Sequence, residues 1–230
     1  MKPSYHYCFL CLLCSFGLKA QELQIGTGFS FNSIRSGTAG TPYESGDFSI
    51  KNAPFFLIGI TQLKSKHAKQ PLNFNFYLYY EQQEVNFRSG SGGRGYTTYA
   101  IGNSKAHTLG VAIQPINIRF SSRLFFNSGL RFDFTTRAKV QGERRSQSQL
   151  PPSFNEVSPL DQDMVNRGSL SVQGQLYYNL ASKSRYFWRP FIAYRYGLTS
   201  VLDTHVAARA NALQLGLSFC IAHHSFKNKL

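Results

Sequence analysis

Between Leu124 and Arg137 the chain alternates clearly with period two. Leu124, Phe126, Leu130, Phe132 and Phe134 share one parity, and Asn127, Gly129, Arg131, Asp133, Thr135 and Arg137 share the other. Successive strand residues point to opposite faces, so this pattern predicts a β-strand with one apolar and one polar side. It also runs on for about 15 residues, where a globular strand usually stops at about 5 or 6. A long two-sided strand is what a chain needs to cross a bilayer without a helix, since a tilted membrane strand takes about 9–11 residues in the apolar layer alone.

Seven further segments of about 12 to 16 residues behave in the same way. The first, near Leu23–Ile34, sets Leu23, Ile25, Phe29 and Phe31 against Gln24, Gly26, Gly28, Ser30 and Asn32. The second, near Asp47–Gln62, puts Phe48, Ile50, Phe56, Ile58 and Ile60 in one parity, with Pro54 as an expected irregularity. The third contains LNFNFYLYYE (72–81), with Leu72, Phe74, Phe76, Leu78 and Tyr80 expected to face lipid and Asn73, Asn75, Tyr77, Tyr79 and Glu81 to line a lumen. A fourth covers about His107–Phe120, and Leu124–Ala138 is the fifth. The sixth, near Ser169–Ala181, opposes Leu170, Val172, Leu176, Tyr178 and Leu180 to Ser171, Gln173, Gln175, Tyr177 and Asn179. The seventh spans about Tyr186–Ser200, and the eighth, near Ala207–Ala222, keeps Leu213, Leu215, Leu217, Phe219 and Ile221 in phase. Helical periodicity of useful length is absent, so the chain reads as all-β.

The connections sort by length. Those after the second, fourth and sixth segments are short and basic (KSKHAKQP, SSR, SKSR), and those after the first, third and fifth are long and rich in Gly, Ser or Pro. Short periplasmic turns alternating with long external loops, with both termini on the periplasmic side, is the arrangement of an outer-membrane barrel. A soluble sandwich has no reason to sort its loops in this way. The polar parity completes the case: Glu81, Arg131, Asp133 and Arg195 all fall opposite apolar residues, and in a barrel of eight strands, filled by its own side chains, they would meet as a buried network. Buried charges persist only when paired, so the expected role of this network is structural. The expected fold is an eight-stranded antiparallel up-and-down transmembrane β-barrel.

The first twenty residues, MKPSYHYCFLCLLCSFGLKA, have a basic start, an apolar run short of a membrane span and a small residue before Gln21, as in a secretory signal peptide. The expected organisation is signal peptide 1–20, barrel 21–222 and periplasmic tail 223–230. Cys8, Cys11 and Cys14 would leave with the signal, so Cys220 alone remains, with no disulfide and no metal site expected. The formal charge of +14 falls to +12 once Lys2 and Lys19 are removed. For an exported chain the nearby polyanions are lipid headgroups and lipopolysaccharide phosphates, and the scattered cations lack the clustered patch of a nucleic-acid binder.

Three motifs invite a sharper reading. GSGGRG at 90–95 satisfies G-x-G-x-x-G, but YTTYAIG follows where a dinucleotide site needs a helix, so a flexible external loop is expected. His205 lies near Ser200, Asp203 and Thr204, and His107 near Ser104; a loop histidine of this kind would serve a lipid-modifying barrel enzyme only if a nucleophile came within hydrogen-bond reach. Loop 139–168, with Glu143, Arg144 and Arg145, is expected to be mobile and to be where a surface partner binds.

The segment VAIQPINIRFSSRLFFNSGLRFDF, with Pro115, Phe120, Phe125, Phe126 and Gly129, resembles PorT-like outer-membrane β-barrel proteins. Their pattern is an apolar strand with an internal proline, a tight turn, then an aromatic strand with a central glycine. YRYGLTSV (194–201) and ALQLGLSF (212–219) resemble the last two strands of that family. The tail HHSFKNKL departs from the usual aromatic end, leaving Phe219 or Phe226 to serve the assembly signal. The resemblance implies an outer-membrane protein of a Gram-negative cell envelope, without enzymatic activity or cofactor, some relatives assisting a secretion system. The expectation is therefore a monomeric structural, adhesive or secretion-accessory component whose partners are outer-membrane lipids, lipopolysaccharide and envelope or secretion-system proteins. The alternative from another class is the lipid-modifying enzyme.

Overall fold

The computed structural model describes residues 18–19, 22–36, 44–65, 74–93, 95–148, 154–160, 165–180, 185–202 and 208–222. Eight antiparallel strands close on themselves: β1 (Glu22–Ser36), β2 (Ala53–Ser65), β3 (Phe74–Gly93), β4 (Tyr96–Arg119), β5 (Leu124–Ser148), β6 (Gly168–Tyr178), β7 (Tyr186–Gly197) and β8 (Ala208–Ala222). Each pairs with its chain neighbours, and β8 pairs with β1 to complete the ring. No helix long and apolar enough to cross a membrane occurs among the described residues. Most of residues 1–20, the expected signal peptide, and all of 223–230, the expected tail, lie outside them, although Leu18–Lys19 pairs with Lys64–Ser65.

The register sets the barrel's shape. Cross-strand partners followed once around the wall lead from Tyr186 through Ile221, Leu23, Ile60, Phe76, Ile113, Leu130 and Val172 to Tyr196, back on β7 but ten residues up (196 − 186). A ten-residue stagger over eight strands, at about 3.3 Å per residue and about 4.8 Å between strands, tilts the strands by about 40°. The backbone radius is then about 8 Å, too narrow for an open channel once side chains are added.

The outer wall is apolar. Leu23, Ile25, Phe29, Phe31, Phe56, Ile58, Leu78, Leu109, Leu130, Phe132, Leu213, Leu215 and Leu217 are all exposed on it. Tyr178, Tyr186, Trp188 and Phe120 mark the lower rim, at the short-turn end, and Tyr80, Tyr194 and Phe134 the upper. From Tyr186 to Tyr194 on β7 the wall rises eight residues (194 − 186), about 20 Å at this tilt, comparable with the lipid-facing band of about 25 Å of such barrels. A closed antiparallel barrel with this exterior satisfies every backbone group internally and belongs in the outer membrane.

The structure corrects several expectations. In the fifth segment one extra residue, Thr136, opposite His107–Thr108 turns Arg137, expected on the polar inward parity with Arg131 and Asp133, to the outer face. The second segment is not one strand of uniform phase. It divides into Glu44–Ile50 and β2, both paired to β3, with an irregularity at Lys51–Asn52 where Lys51 N–H donates to the Glu84 carbonyl (2.8 Å). The extra residue reverses the parity, so Phe48 and Ile50 pack inward while Phe56 and Ile58 face out. Pro54 itself sits in the ladder opposite Phe29, and the bulge expected of a proline falls instead beside Pro115, between Ile113 and Ile116. The GSGGRG segment is not a loose loop: β3 and β4 continue to a tight hairpin whose ladder ends at Gly93 opposite Tyr96, with Gly95 at φ 76°. Loop 139–168 is likewise structured over much of its length, since β5 runs to Ser148 and Phe154–Pro159 pairs back along it. Together Glu44–Ile50, β3, β4, β5 and Phe154–Pro159 form a five-stranded sheet that rises beyond the apolar band.

Candidate functional site

The lumen is stacked in layers. At the lower end Arg189 donates to Glu22 Oε2 (2.6 Å), Gln24 Oε1 (3.2 Å) and Asn179 Oδ1 (2.8 Å), with its guanidinium 4.3 Å from the Tyr177 ring centroid. Thr61 donates a second hydrogen bond to the same Glu22 oxygen (2.8 Å). Above lies an aromatic layer built around Phe55, Tyr77, Tyr79, Tyr177 and Phe191, all buried. Glycines across the wall make room for these rings: a Cβ on Gly216 would come within 2.3 Å of Phe191, and one on Gly59 within 2.3 Å of Tyr77. Large rings facing missing side chains fill a narrow tube without strain. The side-chain amides of Gln114 and Gln175 lie buried in this half of the lumen without hydrogen-bond partners among the described residues.

The four charges picked out in the sequence meet above the aromatic layer. Glu81 stands on β3, Arg131 and Asp133 on β5 and Arg195 on β7. Arg131 Nε donates to Asp133 Oδ1 (2.7 Å) and Nη2 to Glu81 Oε2 (3.2 Å). Arg195 Nη1 reaches both carboxylates, at 3.0 Å to Glu81 Oε2 and 3.4 Å to Asp133 Oδ2. All four are buried, and two cations balance two anions. The Arg131 guanidinium also lies 4.3 Å from the Tyr79 ring centroid. Gly110 leaves the space: a Cβ there would sit 2.3 Å from Asp133 Oδ1 and 2.8 Å from Arg131 Nε. Four charge-assisted hydrogen bonds hold the group together, while Glu81 Oε1, Arg131 Nη1 and Arg195 Nη2 are buried without a partner among the described residues.

An apolar cap closes the upper mouth. Val165 and Leu202, from the segments after β5 and β7, bridge to one another and pack with Val85, Phe87, Ala100, Ala106 and Ala208. Ile34, Phe48, Ile50, Val140 and Leu160 flank them. Between cap and ion quartet remains a cavity of ≈ 20 Å³ lined by Gln83, Ser104, Thr108, Thr135, Asn166 and Ser169 among others, room for little more than a water molecule. The sequence held signals for the Arg189 layer, since Arg189 shares the inward parity of Arg195. It held little for the two residues that bridge the cap, Val165 and Leu202, which lie in segments without periodicity.

The two histidine readings fare differently. His205, with Asp203 and Thr204, lies outside the described residues. His107 faces outward, its Nδ1 hydrogen-bonded to the Tyr80 hydroxyl (2.7 Å), whereas Ser104 points into the lumen and is 1 % exposed. An odd spacing on one strand puts this base and this nucleophile on opposite faces of the wall. No group of three or more metal-ligating side chains occurs among the described residues.

No family model matches the chain, and no curated protein does. Solved structures similar to it include three small outer-membrane proteins. The attachment invasion locus protein Ail of Yersinia pestis, in complex with the heparin analogue sucrose octasulfate, is 13% identical, with 88% of this chain and 100% of that chain covered and a TM-score of 0.39. Neisserial surface protein A is 11% identical over 87% and 97% at a TM-score of 0.34. OprG from Pseudomonas aeruginosa is 10% identical over 89% and 98% at 0.39. At such identities and TM-scores these likenesses carry nothing about the role of the chain.

Proposed function

We propose that the protein is a closed, non-enzymatic outer-membrane scaffold that works through the sheet it raises beyond the bilayer, as an adhesive or secretion-accessory component of the PorT-like kind. One observation carries the reading: the lumen is blocked at successive levels by the Arg189 layer, the aromatic layer, the ion quartet and the cap, while the strands best placed to meet a partner extend well past the membrane. A wall of this construction supplies rigidity, and the outward face of the projecting sheet supplies contact area. Tyr99, Ile101 and Val157 lie side by side there, exposed, with the Arg145–Glu143 ion pair between them. An exposed apolar patch rimmed by charge marks an interaction surface. The PorT-like assignment is supported by the Pro115 bulge, the Ser121–Arg123 turn and Gly129 packed against the Ile113 carbonyl, the three irregular points of its longest matching segment.

The test replaces the outer hairpin, residues 88–101, by a two-residue turn and asks whether the shortened barrel restores the phenotype of a deletion strain. The proposal expects an inserted, heat-modifiable barrel that fails to complement. Full complementation would place the function in the wall or the periplasmic turns instead.

A further inference from the structure

Three rows of side chains cross the outer wall where the apolar band ends, and their order is chemically specific. The lowest is Tyr80–Leu109–Phe134, joined by direct cross-strand pairing, with Leu109 and Phe134 about half exposed. The next is Gln82–His107–Arg137, in which His107 is held by the Tyr80 hydroxyl. The third is Glu84–Lys105–Lys139, extended sideways by Lys51. Directly opposed residues on one face hold their Cβ atoms only about 5 Å apart, and like charges in that position destabilise a sheet. Lys105 and Lys139 are such a pair, and both are exposed. Glu84 offsets one charge only, being shared between Lys51 Nζ (2.5 Å) and Lys105 Nζ (3.7 Å) while also accepting from Asn103 (2.9 Å). Among the described residues the next acids along this face, Glu143 and Asp47, lie two rows further out, Glu143 paired with Arg145 and Asp47 opposite Arg88. Lys51, Lys105, Lys139 and Arg137 against Glu84 leave a surplus of three positive charges. The arrangement recurs across the barrel, where Arg35 opposes Arg209 on the outward face four residues above Phe31, and Arg35 lies 5.0 Å over the Tyr196 ring.

We infer that the surface formed by Lys51, Lys105, His107, Arg137 and Lys139 is a docking site for the phosphorylated glycolipid of the outer leaflet. Acyl chains lie on Leu109 and Phe134, a glycan phosphate sits between Arg137, Lys105 and Lys139, and Gln82 and His107 offer hydrogen bonds at the level of the sugar. The succession apolar, mixed polar, cationic along one wall is the profile of that lipid read from its acyl chains outward. A phosphate between Lys105 and Lys139 converts a repulsive cross-strand pair into a bridged one, which explains why the wall tolerates it.

The experiment titrates the refolded full-length protein in neutral-detergent micelles with diphosphoryl lipid A, with its dephosphorylated form and with inorganic phosphate, and counts bound lipid by native mass spectrometry. Diphosphoryl lipid A should bind at least about tenfold more tightly than the dephosphorylated form, and Lys139→Glu should lose about tenfold in affinity while Lys139→Arg keeps it. Lys139→Glu also places a carboxylate opposite Lys105, so in lipid-free micelles it should unfold at a higher temperature than the parent, which shows that lost binding is not lost folding. Reversal at the opposite rim, Arg123→Glu, should leave binding unchanged. Equal binding by Lys139→Glu and the parent, an equal loss for Arg123→Glu, or full displacement of the lipid by low-millimolar inorganic phosphate would each overturn the assignment.

Discussion

Replacing Arg131 by methionine removes two charge-assisted hydrogen bonds, to Asp133 at 2.7 Å and Glu81 at 3.2 Å, and the stacking on Tyr79. Two buried carboxylates then share a single nitrogen, Arg195 Nη1, and the lumen carries one net negative charge. Breaking a buried ion pair by deleting one partner costs about 3–5 kcal/mol, a change of roughly two to four orders of magnitude in the folded population. Removing Asp133 as well restores neutrality, because Glu81 and Arg195 remain paired at 3.0 Å; Arg131→Met with Asp133→Leu should therefore be less destabilised than Arg131→Met alone, despite losing more contacts. The assay is urea-dependent folding into phosphatidylcholine vesicles, followed by the migration difference between folded and unfolded protein on a detergent gel. If Arg131→Met costs under about 1 kcal/mol, or if the double substitution costs the sum of the two single ones, the quartet is not a coupled network and the reasoning fails.

Other consequences are as direct. Gly110→Ala puts a methyl 2.3 Å from Asp133 Oδ1 and should cost about 1–3 kcal/mol in the same assay, whereas Gly93→Ala, with open space around its Cβ, should cost under about 1 kcal/mol. Cys220 is fully buried and should resist maleimide in the folded barrel and react in urea; ready labelling of the folded form would place it on the wrong face. Hydrogen bonds from Lys51 and Asn103 and the charge of Lys105 hold the Glu84 carboxyl below its usual range of about 4.5. A depressed folded value means that the contribution to stability is present above that range and is lost as pH falls through the folded value. The parent should therefore be more stable than Glu84→Gln at pH 6 and lose that advantage towards pH 3; an advantage that persists at pH 3 would contradict the ion-pair assignment.

Period two made the barrel legible wherever one face met lipid. Leu23 to Phe31, Phe76 to Tyr80, Leu124 to Phe134 and Leu213 to Ile221 are in the structure on the faces that alternation assigns to them. The same parity brought Glu81, Arg131, Asp133 and Arg195 together, because inward positions on one narrow tube have few places to go. Alternation failed where its cause was missing. Above the bilayer both faces of β3, β4 and β5 meet water or a small cap, so RSGSGG and RRSQS carry no contrast between faces and read as loops, though their backbones lie in the ladder. A single extra residue at Lys51–Asn52 turned Phe48 and Ile50 inward, and no side-chain pattern records such a slip. The Arg189 layer needed Glu22 and Gln24 of β1 and Asn179, just past the end of β6, brought to Arg189 on β7, a meeting fixed by the ten-residue stagger, which becomes visible only once the ring is closed.

The claim on which the rest stands is that these strands close around a packed lumen inside a membrane. Protein recovered from the outer-membrane fraction and run on a detergent gel without boiling should migrate ahead of the boiled sample, because a closed hydrogen-bonded barrel resists the detergent until it is heated. Protein that is released without detergent and migrates identically with and without boiling would contradict the account.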